Sequence, residues 1–345
     1  MSDYDRIIQD NCNKHSPVSW WPKFAWHYTD ITNAVNILDS GFLYSRLDVT
    51  DLHLMNNDNA SRQVINMTNA NVESKVRFYF RPLTPTQYYN EGFKHRLLRY
   101  DNDENANTPV PIFFLFDLEK ILSIPGVEFS EKTQAGRGSD RLNGVDAFST
   151  MNFDYIYSND FENFETKRPY RHAEILHPGR LEISSYIDFI LCRNATERMT
   201  LLNLLKKKNG HKFLKYKNLI RIGNDGIFYR NGLFISECLY NNGNLSISFS
   251  DVYNKQKYVS NIRNRRNVEV IDPIKTTILL TWENSRGVVT QNRIETFTDY
   301  EHPKNIIINN VPNIPKAKEL TVKVYFEDKI MCFLIWSLLD SEVLK

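Results

Sequence analysis

The stretch FAWHYTDITNAVNILDSG, residues 24–41, predicts a strand followed directly by a helix. Its first part, FAWHYT, is rich in the aromatic residues that favour strands. In the second part apolar residues recur at helical spacing, Asp30 or Thr32 can cap the N-terminus, and Gly41 stops the helix. The N-terminal part of the chain is therefore expected to mix strands with helices.

The same mixture continues as far as about residue 217. Further predicted strands are VRFYF (76–80), IFFLF (112–116), RHAEIL (171–176) and YIDFILCR (186–193), and ATERMTLLNLLKKKNG (195–210) is predicted to be an amphipathic helix. Two segments lack clean periodicity. The Asn-rich stretch 52–74 is expected to be a loop with a short helix around Arg62, and residues 129–168 are expected to be a long irregular excursion.

From about residue 220 the pattern changes to short alternating strands separated by Asn/Gly turns, which is typical of an antiparallel sandwich. We place a domain boundary near 217–223. The expectation is an α+β chain with a mixed domain at 1–219, followed by a mostly β, sandwich-like accessory domain at 220–345.

Charge and cysteine content exclude several classes of protein. The 43 basic and 41 acidic residues nearly cancel, so any affinity for nucleic acid must come from local patches. The 4 cysteines are widely scattered, which argues against a zinc cluster or a disulfide framework. No apolar run is long enough to span a bilayer. We expect a cytoplasmic protein without a metal or a membrane contact.

Two residues stand out as candidates for chemistry, although common nucleotide-binding and hydrolase motifs are missing. Glu174 lies in RPYRHAEILHPGRLEI (168–183), at the start of a predicted strand and close to several cations. Taken alone, it fits a salt bridge as well as a reactive acid. His27, between aromatic residues, similarly fits either a hydrogen-bonded core histidine or a ligand.

Four blocks, taken in order, resemble the DarT-like ADP-ribosyltransferases, toxins that use NAD to modify nucleic-acid bases. The blocks are HYTDITNAVNILDSG (27–41), Arg62 in SRQVI, VRFYFRPLTPTQYYNEG (76–92) and RHAEIL. The resemblance covers about residues 24–205. It implies an ADP-ribosyltransferase-like fold, a split antiparallel sheet with helices, and NAD as the consumed co-substrate of a glycosyltransferase reaction.

The resemblance also implies roles for individual residues. The implied catalytic residues are Glu174 and Arg62, and the implied NAD contacts are His27, Thr29, Asn33, Arg62, Tyr79 and Tyr88. The chain departs from the family at Thr-Gln-Tyr-Tyr (86–89), where better-known members carry Met and Leu. Residues 220–345 have no counterpart in the minimal family domain.

Elementary chemistry supports the same residues. Breaking the bond between nicotinamide and ribose builds positive charge on the sugar, so a carboxylate such as Glu174 can stabilise that state or act as a general base. The planar fork of Arg62 suits the diphosphate. His27 can hydrogen-bond the ribose hydroxyls and orient the sugar for attack.

An enzyme that acts on a base needs an unpaired strand and therefore a basic groove with aromatic rings. We expect the segment 129–168 to contact the nucleic acid. The expected nucleic-acid contacts are Arg81, Arg137, Arg141, Phe148, Tyr155 and Arg171. Two basic stretches, 206–221 and 255–266, could also neutralise phosphates, although charge runs are commonly only solvated surface.

Three hypotheses follow for the function. The leading one is a mono-ADP-ribosyltransferase acting on a base of single-stranded DNA, with RNA left open, as a toxin or phage-defence effector. The resemblance implies restraint by an antitoxin, often a macrodomain protein. The second is a protein-modifying transferase; His172 argues against it, because arginine-modifying enzymes usually carry a glutamate at that position. The third is a non-catalytic binding module with a degenerate transferase domain.

Overall fold

The computed structural model describes residues 2–52, 70–100, 103, 106–134, 139–160, 162–250 and 253–338. Two of the expected site residues, Arg62 and Arg137, lie outside these ranges, as does the short helix expected around Arg62.

The strand and helix predicted from residues 24–41 are both present. Strand β1 (Phe24–Asp30) leads directly into the helix Ile31–Ser40. The Asp30 carboxylate accepts hydrogen bonds from the Thr32 backbone N–H at 3.0 Å and from its hydroxyl at 2.8 Å, which caps the helix. Gly41 ends it with a φ of +82°, a conformation that glycine adopts without strain.

A sheet of seven strands forms the core of the N-terminal part. Besides β1 its strands are β3 (Lys75–Tyr79), β4 (Pro111–Asp117), β5 (Glu128–Ser130), β6 (Glu174–Pro178), β8 (Ile187–Cys192) and β9 (Ile220–Ile222). Their order is β5-β6-β3-β1-β4-β8-β9, antiparallel except for the β8/β9 pair. A separate two-stranded ladder joins β2 (Phe42–Leu43) to β7 (Leu181–Glu182).

The sheet is split between β1 and β3. These strands share one paired position, Trp26 with Tyr79, whereas β1 and β4 pair along their whole length. The seven strands therefore form two halves, β5-β6-β3 and β1-β4-β8-β9. This arrangement confirms the predicted split antiparallel sheet and the α+β class.

Helices surround the sheet. The α-helices are Asp3–Lys14, Ile31–Ser40, Arg46–Asp51, Ala70–Glu73, Pro85–Asn90, Leu118–Leu122, Gly144–Ser149, Phe153–Ile156, Phe164–Lys167, Ala195–Lys208, Gly210–Tyr216 and Tyr253–Arg266. Short 3-10 helices are Ser16–Val18, Trp21–Lys23, Arg96–Leu98, Arg168–His172 and Asp225–Ile227. Within the described part of the chain, every helix falls short of the length and apolarity that crossing a bilayer requires.

The segment 129–168 is more ordered than its sequence suggests. It contains three short helices, and Phe148 packs edge to face against Tyr4 at 5.5 Å, Phe129 at 5.5 Å and Phe153 at 5.0 Å. The expected irregular course is therefore interrupted by short helices that pack on the core. Aromatic side chains with no regular spacing in the sequence anchor this segment to the core.

The C-terminal part contains two antiparallel sheets, as predicted. One consists of β10 (Ile235–Asn241), β11 (Asn244–Phe249) and β14 (Ile306–Ile308); the other consists of β12 (Ile274–Asn284), β13 (Gly287–Thr298), β15 (Glu319–Phe326) and β16 (Lys329–Ser337). Phe249 of the first sheet packs on Phe326 of the second at 5.9 Å. The sandwich-like arrangement is confirmed, with the unpredicted helix Tyr253–Arg266 added to it.

The two parts meet along a seam at which backbone lies against backbone. A Cβ atom added at Gly232 would lie 2.6 Å from the carbonyl oxygen of Glu91 and 2.7 Å from the carbonyl carbon of Gly92. Beside them, Phe93 and Leu233 exchange two backbone hydrogen bonds of 3.0 Å. Strand β9, at residues 220–222, belongs to the first sheet, and a domain boundary at 219/220 stays a prediction.

Candidate active site

Glu174 is the first residue of β6 and is 1% exposed. Its carboxylate accepts a hydrogen bond from Arg77 Nε at 3.0 Å and another from Arg77 Nη2 at 2.6 Å. Such a two-pronged ion pair supplies the counter-charge that an ionised carboxylate needs when it is buried. Glu174 is thus held in one orientation by the ion pair, with lone pairs left on both oxygens.

Arg77 was not among the residues expected in the site. It lies on β3, where Tyr79 pairs with Glu174 and Arg77 pairs with Leu176, so Arg77 reaches the carboxylate diagonally across the ladder. The available signal was the alternation in VRFYF, which puts Arg77 and Tyr79 on one face of the strand. The pairing of β3 with β6 could not be read from local sequence.

Tyr79 stands beside the carboxylate. Burial raises the pKa of its phenol, and the charge of Glu174 raises it further, so the hydroxyl stays protonated at neutral pH. The hydroxyl interacts with the side chain of Thr86 in the following helix, Pro85–Asn90. The predicted Tyr79 therefore does lie next to the predicted Glu174.

His27 occupies β1, on the other side of the split in the sheet. Its Nδ1 lies 3.1 Å from the carbonyl oxygen of Arg77. A carbonyl can only accept, so Nδ1 carries the proton and Nε2 is left as an acceptor when the ring is neutral. Burial lowers the pKa of His27, which keeps the ring neutral at pH 7. The ring is fixed between Phe78 and Phe114, at centroid distances of 6.1 and 6.3 Å.

Thr29 and Asn33 lie where β1 passes into the helix Ile31–Ser40. Thr29 is 5% exposed and Asn33 is half-buried. Between them Asp30 is buried, and burial raises the pKa of its carboxyl, an effect that hydrogen bonds from Thr32 and Val110 partly offset. This junction is therefore held by hydrogen bonds to the Asp30 carboxylate, close to His27 in the chain. The NAD contacts expected of Thr29 and Asn33 stay predictions.

Arg81 is fully buried, which speaks against the nucleic-acid contact expected of it. Its guanidinium donates to the carbonyls of Pro82 at 2.9 Å, Ile156 at 2.8 Å and Ser158, and it lies 4.9 Å from the ring of Trp21. Burial, and next the nearby Arg171, lower the pKa of Arg81 to about 9. Arg81 tethers the segment 156–158 to the end of β3.

Phe148 also fails to reach the surface, because its ring is 1% exposed inside the aromatic cluster described above. Tyr155 is half-buried and packs edge to face on Tyr170 at 5.1 Å. Arg141 is on the surface, 3.4 Å from Glu128. Burial therefore argues against nucleic-acid stacking on Phe148, whereas the contacts expected of Tyr155 and Arg141 stay predictions.

Arg171 and His172 lie just before Glu174, in the 3-10 helix Arg168–His172. Arg171 is 5% exposed; it donates to the carbonyl of Asp160 and lies 5.0 Å from the ring of Phe164. Burial, together with Arg168 and Arg77, lowers the pKa of His172 to about 4. His172 is therefore neutral at physiological pH, and the carboxylate that pairs with Arg77 is that of Glu174.

A groove of about 790 Å³ opens next to this site. Its wall includes Thr86, which contacts Tyr79, and His172, two residues before Glu174. Tyr88, an expected NAD contact, lies in the same groove and packs on Tyr229 at 5.2 Å. Residues on both sides of the seam therefore line one groove, which adjoins the candidate catalytic site through Thr86 and His172.

Comparison with known protein families identifies the family of the chain that carries this site. The sequence model described as "ssDNA thymidine ADP-ribosyltransferase, DarT" matches residues 26–222, more than half of the chain. The chain belongs to the DarT family. It is accordingly an NAD-dependent ADP-ribosyltransferase of single-stranded DNA, and the resemblance identified from the four blocks is confirmed.

Solved DarT structures are also similar to the chain. Thermus sp. 2.9 DarT in complex with carba-NAD+ is 15% identical, with a TM-score of 0.45 over 60% of this chain and 98% of that one. Thermus sp. 2.9 DarT in complex with ADP-ribosylated ssDNA is 14% identical, with a TM-score of 0.46 over 60% and 97%. Thermosipho africanus DarTG in complex with ADP-ribose is 15% identical, with a TM-score of 0.43 over 63% and 53%. A comparison with curated proteins found no significant match.

The DarT match ends at residue 222, where β9 ends, so the two C-terminal sheets lie outside the matched region. Of the two basic stretches, the first lies on the helices Ala195–Lys208 and Gly210–Tyr216, and the second forms most of the helix Tyr253–Arg266. In the parts of the chain that the structure describes, no group of three or more His, Cys, Asp and Glu side chains could hold a metal ion.

Proposed function

We propose that this DarT-family enzyme transfers ADP-ribose from NAD to a thymine base of single-stranded DNA, with Glu174 as the catalytic carboxylate. The observation that carries this assignment is the buried Glu174 held by the Arg77 fork beside an open groove. A carboxylate fixed in this way is preorganised to stabilise positive charge without reorienting during the reaction.

The proposed reaction accounts for each bond, electron pair and proton that changes. The bond between the ribose C1 and the nicotinamide nitrogen breaks, and its electron pair leaves with neutral nicotinamide. Thymine has one ring N–H, at N3, since its N1 is bonded to deoxyribose. N3 forms the new bond to C1 and loses its proton to the Glu174 carboxylate. The developing positive charge on the sugar lies next to the same carboxylate.

Residues on both halves of the sheet are proposed to hold NAD. Neutral His27, with Nδ1 engaged by the Arg77 carbonyl, has Nε2 available to accept a hydrogen bond from a ribose hydroxyl. Thr29 and Asn33 follow on the same strand–helix junction. Tyr79 and Tyr88 complete the proposed set. Arg62 is proposed to hold the diphosphate, on the strength of the family resemblance.

The decisive experiment uses the full chain, NAD labelled in its adenylate part, and single-stranded oligonucleotides. We expect label on thymidine-containing DNA from the native enzyme. Glu174→Gln keeps the shape of the side chain but removes its charge, and is expected to lower the rate by about 100- to 1000-fold. Glu237→Gln, an exposed carboxylate on β10, is the matched control and is expected to leave the rate unchanged.

A second arm tests the acceptor atom. An oligonucleotide whose only thymine is N3-methylated has no N3–H and is expected to take no label, whereas its unmethylated twin is modified. Label on the methylated strand would contradict N3 as the acceptor. Native enzyme that binds DNA and leaves every strand unlabelled would favour the non-catalytic binding module. RNA and a protein lysate, added in parallel, test the other two acceptor classes.

Family resemblance also supports a biological role as a toxin held in check by an antitoxin, for which a macrodomain that removes the modification is the expected partner. Expression of the native chain is then expected to stop growth, and Glu174→Gln to relieve the arrest. Growth arrest that survives Glu174→Gln would separate toxicity from transfer. A role in phage defence is an extension of the same proposal.

A further inference from the structure

We propose that the groove binds the nucleotides that flank the acceptor thymidine, and that the C-terminal helix Tyr253–Arg266 provides one wall of this binding site. The inference rests on the proposed function, because the groove opens beside Glu174 through Thr86 and His172. It assigns to the β-rich part of the chain, outside the region matched to the family, a direct share in substrate binding.

One face of that helix is built for contact with a polar ligand. Four groove residues recur at intervals of three or four positions and are exposed: Asn254, Lys257, Asn261 and Arg265. Residues at this spacing form one stripe along an α-helix. The adjoining face, with Tyr258, Val259 and Ile262, is buried, and Ile262 also borders the groove. The helix therefore presents amides and cations to the groove and keeps its apolar side in the core.

The wall is fixed to both parts of the chain. The Tyr258 hydroxyl donates to the carbonyl of Leu98 at 2.9 Å, which ties the helix to the transferase part. On the other side, the buried Lys255 ammonium donates to the carbonyl of Tyr300 at 3.0 Å, and Arg263 grips Glu301 through two bonds of 2.8 Å. The polar stripe is thus preorganised rather than carried on a free surface helix.

Aromatic rings also line the groove, and two of them contact the helix itself: Tyr88 packs on Tyr258 at 5.4 Å, and the Arg265 side chain donates a hydrogen bond to Tyr89. Tyr88 packs on Tyr89 at 5.3 Å and on Tyr229 at 5.2 Å, and Tyr89 packs on Tyr100 at 4.8 Å. All four are groove residues and all are half-buried. Rings held in this way offer stacking surface to any base without selecting its identity, which suits nucleotides on either side of the acceptor.

Charge points to the same ligand. The described groove residues include one acid, Glu165, which pairs with Arg168 at 3.2 Å. They include four cations: Arg168, Arg171, Lys257 and Arg265. A cationic groove with aromatic rings complements a single strand, whose phosphates and bases alternate. An apolar peptide would leave the Lys257 and Arg265 charges unmatched. The volume of about 790 Å³ exceeds the needs of one base.

The test compares acceptors of about 4 and about 16 nucleotides, each with one thymidine, at saturating NAD. The measured quantity is the ratio of kcat/KM for the long acceptor to that for the short one. We expect the double variant Lys257→Ala/Arg265→Ala to lower this ratio by about 5- to 20-fold. For single strands, each phosphate contact contributes about 0.7 to the magnitude of the slope of log affinity against log salt. Removing two such contacts should therefore reduce that magnitude by about 1.4.

The matched control removes two exposed cations outside the groove and outside both basic stretches, Arg286→Ala/Lys304→Ala, and is expected to keep the native ratio. Thermal unfolding verifies that both variants are folded. If the control lowers the ratio as much as the groove variant, the effect is general electrostatics and the groove assignment is overturned. An unchanged ratio in the groove variant overturns it as well.

Binding without NAD separates this inference from the proposed function. Fluorescence anisotropy with a labelled single strand measures affinity in the absence of transfer. Suppose that the native enzyme modifies no DNA, but that the variant Lys257→Ala/Arg265→Ala binds the strand more weakly than the native enzyme does. The groove assignment then stands and the proposed transfer fails. If transfer proceeds and the affinity is the same in both proteins, the transfer stands and the groove assignment fails.

Discussion

Arg77 holds the carboxylate of Glu174 with two parallel hydrogen bonds, of 3.0 and 2.6 Å, across adjacent strands of the sheet. The side chain of Arg77 is 29% exposed, whereas that of Glu174 is 1% exposed. The arginine is therefore the more accessible member of the pair. It neutralises the acid in the resting enzyme and limits the directions from which a substrate can approach it.

Removing Arg77 alone should destabilise the fold more than removing the pair. Arg77→Met leaves Glu174 buried without a counter-charge, and the expected loss is about 3 kcal/mol in the free energy of unfolding. The double variant Arg77→Met/Glu174→Met replaces the pair with apolar side chains and should recover most of that loss. Urea unfolding of both proteins checks this. Additive losses would show that the two residues do not interact.

Arg77→Lys should separate charge from geometry. Lysine keeps the positive charge but cannot make the planar two-bond contact, so Glu174 gains freedom to rotate. We expect a drop of about 10- to 100-fold in kcat for transfer, with the KM for NAD changed less than threefold. Steady-state kinetics on a single-stranded oligonucleotide measures both values. A large rise in KM with an unchanged kcat would instead assign Arg77 to NAD binding.

Arg81→Met should affect stability rather than DNA binding. The Arg81 guanidinium donates to three backbone carbonyls, and its loss leaves buried acceptors unpaired. The expected loss is about 2–4 kcal/mol in the free energy of unfolding, measured with urea. The affinity of the folded variant for a single strand, measured at low temperature, should stay within twofold of native. A selective loss of affinity would restore the nucleic-acid contact expected from the sequence.

His172 should make stability depend on pH between about 4 and 6.5. Its pKa is about 4 in the folded protein, below the ordinary value of 6.5, so the unfolded chain binds more protons in this window. Stability is therefore full above pH 6.5 and falls as the pH is lowered towards 4, by about 3 kcal/mol for this group. His172→Gln should flatten that part of the profile.

The matched control for the pH profile is His211→Gln, since His211 is exposed on the helix Gly210–Tyr216. This variant should retain the native slope. His95, whose pKa burial and next Arg96 lower to about 4, and His27, whose pKa burial also lowers, account for residual slope in the His172 variant. If native and His172→Gln proteins show equal slopes of unfolding free energy against pH, protonation of His172 does not destabilise the fold.

Sequence was sufficient where the determinants are local. The helix Ile31–Ser40 was predicted together with its Gly41 stop and with Asp30 as one of two possible caps, because all these signals lie within a dozen residues. Arg77 was missed because its partner lies on a strand 97 positions away. The helix Tyr253–Arg266 was missed because its buried face includes Lys255 and Tyr258, so that its apolar pattern is broken.

The glycine pair at the seam has a consequence for the evolution and engineering of this chain. Since Gly92 and Gly232 touch through bare backbone, neither can acquire a side chain unless the other part moves. The β-rich part cannot be replaced by an unrelated domain without changing this contact. A chain shortened after residue 222 would expose Phe93, which is now fully buried. Changes in DNA preference are therefore expected through point substitutions on the groove stripe rather than through shuffling of whole halves.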